Sequence, residues 1–212
     1  MGALREIAGP AGRLEVLLDE PDSGAFEAAA VFAHPHPQYG GTMHTKIVYR
    51  SAKALASLGC VVLRFNFRGV GSSEGSFGNG AGEIEDFRAA LDFMAARYPL
   101  LPLWAAGMSF GAYVSLTAGA TDDRVETLLG LAPALHVYDF SAVRQSRKMK
   151  YFVQGELDEV CPLPNMHAFF ESLMEPKRLI VIPGANHLFV TKLNEAVEAV
   201  GTLFGDWRGR RA

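Results

Sequence analysis

Gly107-Met108-Ser109-Phe110-Gly111 stands between an apolar run, Leu101-Pro102-Leu103-Trp104-Ala105-Ala106, and a helix-like stretch beginning at Ala112. A serine with glycines two residues before and two after, at a strand-to-helix junction, is the pattern of a sharp turn that lifts the serine hydroxyl above a parallel sheet. The reason is steric. The turn strains the serine backbone, and a side chain at either glycine collides with the neighbouring strand and helix. The hydroxyl then sits beside a helix N-terminus, where backbone N–H groups favour negative charge. A chance occurrence in a chain with 22 glycines is the competing reading, and the flanking sequence decides between the two.

Working outward, the chain alternates between two periods. Strand-like runs are Leu14–Leu18, Ala29–Ala33, Cys60–Phe65, Leu103–Ala106, Val125–Leu131, Tyr151–Val153 and Arg178–Ile182. Helical patterns fall at Thr42–Leu58, Glu83–Arg97, Tyr113–Ala118, Pro164–Leu173 and Leu193–Trp207. Ile84, Phe87, Leu91 and Met94 form an apolar helix stripe. This alternation predicts a mostly parallel α/β sheet with helices on both faces, in which ligands gather at the carboxyl ends of the strands. No linker or repeat interrupts residues 1–212, so one domain is expected.

Composition narrows the function. Of the 212 residues 49% are hydrophobic, enough for one well-buried core. The formal net charge of −3 gives no electrostatic case for nucleic acid. No apolar run suits a membrane span, and no leader-like h-region opens the chain. Cys60 and Cys161 are the only cysteines, which fits a reducing cytoplasm better than a disulfide framework. The expectation is a cytoplasmic protein with a small-molecule substrate, no cofactor, and homo-oligomerisation left open.

A serine hydroxyl becomes a good nucleophile only when a base takes its proton, and that base is a histidine oriented by a buried acid. Downstream of Ser109, the strand ending at Val153 runs into Gln154-Gly155-Glu156-Leu157-Asp158-Glu159-Val160, and the next runs into Pro183-Gly184-Ala185-Asn186-His187. His187 is the expected base; His167 lies in a helical pattern. Glu156, Asp158 and Glu159 compete as the acid. Asp158 is preferred, because Val160 and Pro162 follow it and wall it from water, and Glu156 is the runner-up. For the oxyanion, one donor is the Phe110 N–H. The other comes from His34-Pro35-His36-Pro37-Gln38-Tyr39-Gly40-Gly41, where the prolines have no N–H, so His36 or Gln38 supplies it. A metal site at His34 and His36 is the competing reading, but no third ligand of convincing spacing follows. His44 is expected to line the pocket or cap the following helix. Gly69-Val70-Gly71 departs from phosphate-loop spacing and reads as a turn supporting the oxyanion loop.

On these residues the chain resembles the α/β hydrolases, from about the first strand to the last helix. More closely, it resembles small bacterial hydrolases sharing His-Pro at 34–35 with Gly-Gly at 40–41, Asn66-Phe67-Arg68-Gly69-Val70-Gly71-x-Ser73, and Gly107–Gly111; dienelactone-hydrolase-like enzymes resemble it more distantly. The resemblance implies Ser109 as nucleophile, Asp158 as orienting acid, His187 as base, and His36 and Phe110 as oxyanion donors. Two positions depart from the pattern: His34-Pro35 replaces the usual His-Gly, and Asn66 stands where many relatives carry Asp.

Ala132–Lys150, where relatives insert lids, is too short for a cap domain. Leu135, Val137, Tyr138 and Phe140 within it either wall a shallow pocket or anchor the loop. The expected substrate contacts are Gln38, Tyr39, Met108, Leu135 and Tyr138. The expected function is a lidless serine hydrolase acting on a small ester or thioester. The alternatives are a non-catalytic binding protein of the same fold, or a peptidase, amidase or carbon–carbon hydrolase using the same residues.

Overall fold

Every residue of strand β3 (Ala28–Ala33) is buried, and its two faces feed two separate cores. Ala29, Val31 and Ala33 enter one, and Ala28, Ala30 and Phe32 the other. A period-two strand without polar positions does this when helices cover both faces of its sheet. The next strand, β4 (Cys60–Phe65), divides the same way, with Val61, Leu63 and Phe65 opposite Cys60 and Val62.

The computed structural model describes residues 4–211. The remaining strands are β1 (Glu6–Gly9), β2 (Gly12–Asp19), β5 (Leu103–Met108), β6 (Val125–Leu131), β7 (Met149–Gly155) and β8 (Lys177–Ile182). They form one eight-stranded sheet in the order β1-β2-β4-β3-β5-β6-β7-β8. β2 pairs antiparallel with β1 and with β4, and all other pairs are parallel. Helices α1 (Lys46–Ser57) and α6 (Leu193–Arg211) cover one face through Ile47, Val48, Leu55, Leu203 and Phe204. There Trp104 of β5 stacks on Tyr151 at 5.8 Å and meets Trp207 edge-on at 5.4 Å. Helices α2 (Ala81–Arg97), α3 (Phe110–Ala120) and α5 (Leu163–Glu171) cover the other through Phe87, Leu91, Val114, Met166 and Phe169.

Several boundaries differ from the sequence reading; α6, for one, runs on past Trp207 to Arg211. β1 is an added strand, turned back on β2 at Gly9–Gly12 with Glu6 opposite Glu15; Ile7 is its only buried side chain, so it carries almost no apolar signal. α1 begins at Lys46 rather than Thr42. Thr42–Thr45 close a turn of their own, with the Thr42 N–H donating to Thr45 Oγ1 at 3.2 Å and the Thr45 N–H to the Thr42 carbonyl at 2.9 Å. α3 begins at Phe110, directly after Ser109, rather than at Tyr113. The segment between β6 and β7 holds only the short helix α4 (Ser141–Gln145).

The strand order sets up the site. The chain leaves β3 for β4 on one side and returns to β5 on the other, so a crevice opens at the carboxyl ends of β3 and β5. Ala33 pairs with Gly107 across these two strands. At the far side, Gly155 pairs with Ile182, so the loops after β7 and β8 also leave the sheet together.

Candidate active site

Ser109 sits at the turn from β5 to α3 with φ +55°, a left-handed conformation that costs a residue with a Cβ. Its N–H is tied to the Leu131 carbonyl at 2.9 Å. The flanking glycines explain how the turn closes. A Cβ on Gly107 would lie 2.2 Å from the Gly111 carbonyl oxygen, and one on Gly111 2.3 Å from that of His34.

His187 reaches Ser109 from the loop after β8. Its Nε2 lies 2.9 Å from Ser109 Oγ, and its Nδ1 lies 3.0 and 2.9 Å from the two carboxylate oxygens of Asp158. An Nδ1–H donated to Asp158 leaves Nε2 as the acceptor for the serine hydroxyl. All three side chains are buried. The two loops are stapled to one another, with the Leu157 N–H on the Ala185 carbonyl at 2.8 Å and the Glu156 N–H on that of Ile182 at 3.1 Å.

Asp158 is held from several sides. The N–H groups of Val160 and Cys161 donate to Oδ1 at 2.9 and 2.7 Å, and Gln154 Nε2 donates to Oδ2 at 2.8 Å. The same Gln154 amide also donates to the Cys161 carbonyl at 2.8 Å. Gln154 was not among the expected site residues; the signal for it is a polar side chain closing the apolar run Tyr151–Val153. The other two acids have different partners. Glu156 Oε2 accepts the Gly184 N–H at 2.8 Å, and Glu159 Oε2 accepts the His187 N–H at 3.3 Å.

The loop after β3 is pinned by His34. Its Nδ1–H donates to the Pro35 carbonyl at 2.6 Å, and its Nε2 accepts the Phe67 N–H at 3.1 Å. Burial lowers its pKa to about 4, so the ring is neutral. The following residues form a single 3-10 turn, Pro37–Tyr39, capped by His36, whose Nδ1 accepts the Gln38 N–H at 3.2 Å. That bond engages Gln38. The His36 N–H makes no hydrogen bond among the described residues, and the Phe110 N–H lies in the first turn of α3, where no partner exists inside the helix. Burial also lowers the pKa of the His36 imidazole, which packs on Tyr39, Phe77 and Phe110. Asn66 supports the neighbouring turn: its Oδ1 accepts the Met43 N–H, and its Nδ2 donates to Glu15, each at 2.8 Å. An aspartate there would set two carboxylates against each other.

A cleft of about 610 Å³ opens over Ser109 and His187. Tyr39, Phe110 and Tyr138 form its aromatic wall and Val137, Val160 and Leu188 its aliphatic one, with His36 and Glu159 between them. Of the expected substrate contacts, Tyr39 and Tyr138 stand on this wall. Met108 does not: the alternation of β5 turns it, with Trp104 and Ala106, into the core under α1 and α6. Gln38 is exposed on the 3-10 turn outside the lining. Leu135 packs on the opposite core, and Phe140 anchors the loop there against Tyr113 and Phe169. His44 is exposed and borders a separate surface hollow with Arg5 and Arg13, and His167 is exposed on α5.

Among the described residues, no group of three or more His, Cys, Asp or Glu is arranged to hold a metal ion. Both nitrogens of His34 are already engaged. No helix among these residues is long and apolar enough to cross a membrane.

The sheet order, the serine turn and the capless β6–β7 connection define an α/β hydrolase. The chain belongs to the hydrolase family described as serine aminopeptidase, S33, whose model matches residues 28–151. It is similar to the structure of an alpha-beta serine hydrolase homologue from Coxiella burnetii, at 38% identity and a TM-score of 0.88, covering 95% of this chain and 99% of that one. It is equally similar to XC6422 from Xanthomonas campestris, described as an α/β serine hydrolase without lid, at 38% identity and a TM-score of 0.89, covering 97% and 94%. The uncharacterized protein RP471 of Rickettsia prowazekii is 34% identical over 201 residues, covering 91% of this chain and 84% of the other.

Proposed function

We propose that this hydrolase cleaves small carboxylic esters or thioesters through an acyl-enzyme on Ser109. The observation that carries the reading is the line of hydrogen bonds from Ser109 Oγ to His187 Nε2 and from His187 Nδ1 to Asp158. Ser109 Oγ attacks the ester carbonyl carbon while its proton passes to His187 Nε2. The carbonyl oxygen becomes an oxyanion, held by the N–H groups of Phe110 and His36. Collapse of the tetrahedral intermediate breaks the bond to the alcohol or thiol, which leaves with the proton from His187. Water then adds to the acyl-enzyme with His187 as base, and the carboxylic acid departs as Ser109 regains its proton. Asp158 holds the imidazole in the reactive tautomer and stabilises its cationic form.

An amide or peptide bond is the second reading, favoured by the family's description as an aminopeptidase. The same residues serve it, but the poorer leaving group needs its proton earlier. Two buried, unpaired cysteines support a reducing compartment, and we place the protein in the cytoplasm.

The deciding experiment is labelling with a fluorophosphonate followed by peptide mapping, with matched p-nitrophenyl esters and p-nitroanilides as substrates. Labelling confined to Ser109 and turnover of the esters is the expected result. Absence of labelling in the wild type, or labelling that survives Ser109→Ala, refutes the mechanism. Faster anilide than ester turnover selects the second reading.

A further inference from the structure

Glu159 is the one carboxylate side chain lining the cleft, and no Lys or Arg stands among the lining residues. It is exposed, and its one hydrogen-bond partner among the described residues is the His187 backbone N–H. No Lys or Arg pairs with it there, in contrast to Glu27, Glu74, Glu85 and Glu126, each of which holds an arginine. No neighbouring cation offsets the Glu159 carboxylate at the lip of a cleft with aromatic and aliphatic walls. Walls of low polarizability concentrate such a field toward whatever occupies the cleft. Tyr39 and Tyr138 add aromatic rings to the same cleft, a group type that attracts cations.

We infer that Glu159 sets the charge preference of the substrate: esters carrying an ammonium group are favoured over neutral isosteres, and those carrying a carboxylate are disfavoured. The kinetic form of this inference rests on the esterase reading above. A single exposed carboxylate acting over several ångströms at high effective dielectric gives discrimination of about three- to tenfold in each direction.

The test uses three p-nitrophenyl esters of equal chain length ending in trimethylammonium, tert-butyl or carboxylate. Ratios of kcat/KM within each variant cancel any general loss of activity. In the wild type the cation-to-neutral ratio is expected near fivefold and to fall with added salt. Glu159→Gln brings both ratios close to one, and Glu159→Lys inverts them. Unchanged ratios in Glu159→Gln overturn the assignment. So does an equal change in Asp123→Asn, an exposed acid at the opposite end of the sheet, because the protein's overall charge would then suffice. Binding gives a reading free of turnover: choline and its uncharged tert-butyl isostere, titrated by NMR into wild type and Glu159→Gln. If no ester is hydrolysed, the esterase reading fails and this titration still decides the inference. A preference for choline that Glu159→Gln abolishes sustains it; equal affinities in the wild type overturn it.

Discussion

The ring of His34 accepts the backbone N–H of Phe67 at 3.1 Å while donating to the Pro35 carbonyl, so one buried imidazole ties the loop after β3 to the loop after β4. The bond from Phe67 requires the neutral ring, whereas Nδ1–H donates to Pro35 in either protonation state. Protonation would leave Nε2 unable to accept and place a charge in the core.

Stability is therefore predicted to depend on pH through His34, whose pKa is lowered from 6.5 to about 4. Above pH 6.5 neither the folded nor the unfolded chain holds this proton, and His34 gives no slope. As pH falls from there toward about 4, the unfolded chain takes up a proton that the folded chain refuses, so stability is lost, by on the order of 3 kcal/mol in all. Urea midpoints measured across this window test the sign. His34→Gln is expected to be less stable at neutral pH but to lose this part of the slope. An unchanged slope in the variant refutes the assignment.

The three acids of the loop after β7 separate by their partners. Asp158→Asn leaves the fold intact but holds the wrong tautomer of His187, and a loss in kcat on the order of 10⁴ is expected. Glu156→Gln removes only an exposed contact to the Gly184 N–H, so its effect stays within about threefold, the scale of a surface interaction. Steady-state kinetics on one short ester compares them. A larger loss in Glu156→Gln would reverse the roles.

Gly111→Ala tests the close packing behind the serine turn. The added methyl would lie 2.3 Å from the His34 carbonyl oxygen and 2.6 Å from that of Ala33, both backbone atoms that cannot swing aside. A destabilisation on the order of 3 kcal/mol is expected, together with loss of ester turnover as β3 and α3 are pushed apart. Thermal denaturation and kinetics measured together check this; a variant as stable and active as wild type would show that the contact relaxes freely.

Substrate length follows from the cleft. Each buried methylene contributes about 0.8 kcal/mol, but only while wall remains to cover it. Tyr39, Val137 and Leu188 on that wall are themselves exposed, so the cover ends early. Turnover of p-nitrophenyl esters is expected to peak from acetate to butyrate and fall beyond. A rate that climbs to long chains would reveal a deeper channel.

Much of this architecture was legible because parallel strands buried on both faces leave uninterrupted apolar runs, as at Ala28–Ala33 and Cys60–Phe65. The serine turn was legible because steric exclusion writes itself as glycine at 107 and 111. β1 was not, since an edge strand with one buried side chain has no apolar signature. The positions of Ser109, Asp158 and His187 followed from what stands after each strand. Met108 was misplaced because nearness to the serine in sequence says nothing about which face a strand residue takes. Gln38 was separable from His36 only in three dimensions, where a ring nitrogen occupies its N–H.

The brevity of the β6–β7 connection has a kinetic meaning. With α4 (Ser141–Gln145) as its only helix, that segment has no mass to swing across Ser109, and a substrate meets the hydroxyl by diffusion into standing geometry. Turnover is then predicted to wait on bond making and breaking instead of on a gate, and kcat should be indifferent to added sucrose or glycerol, whose viscosity slows lid motion and ligand diffusion but not the chemical step.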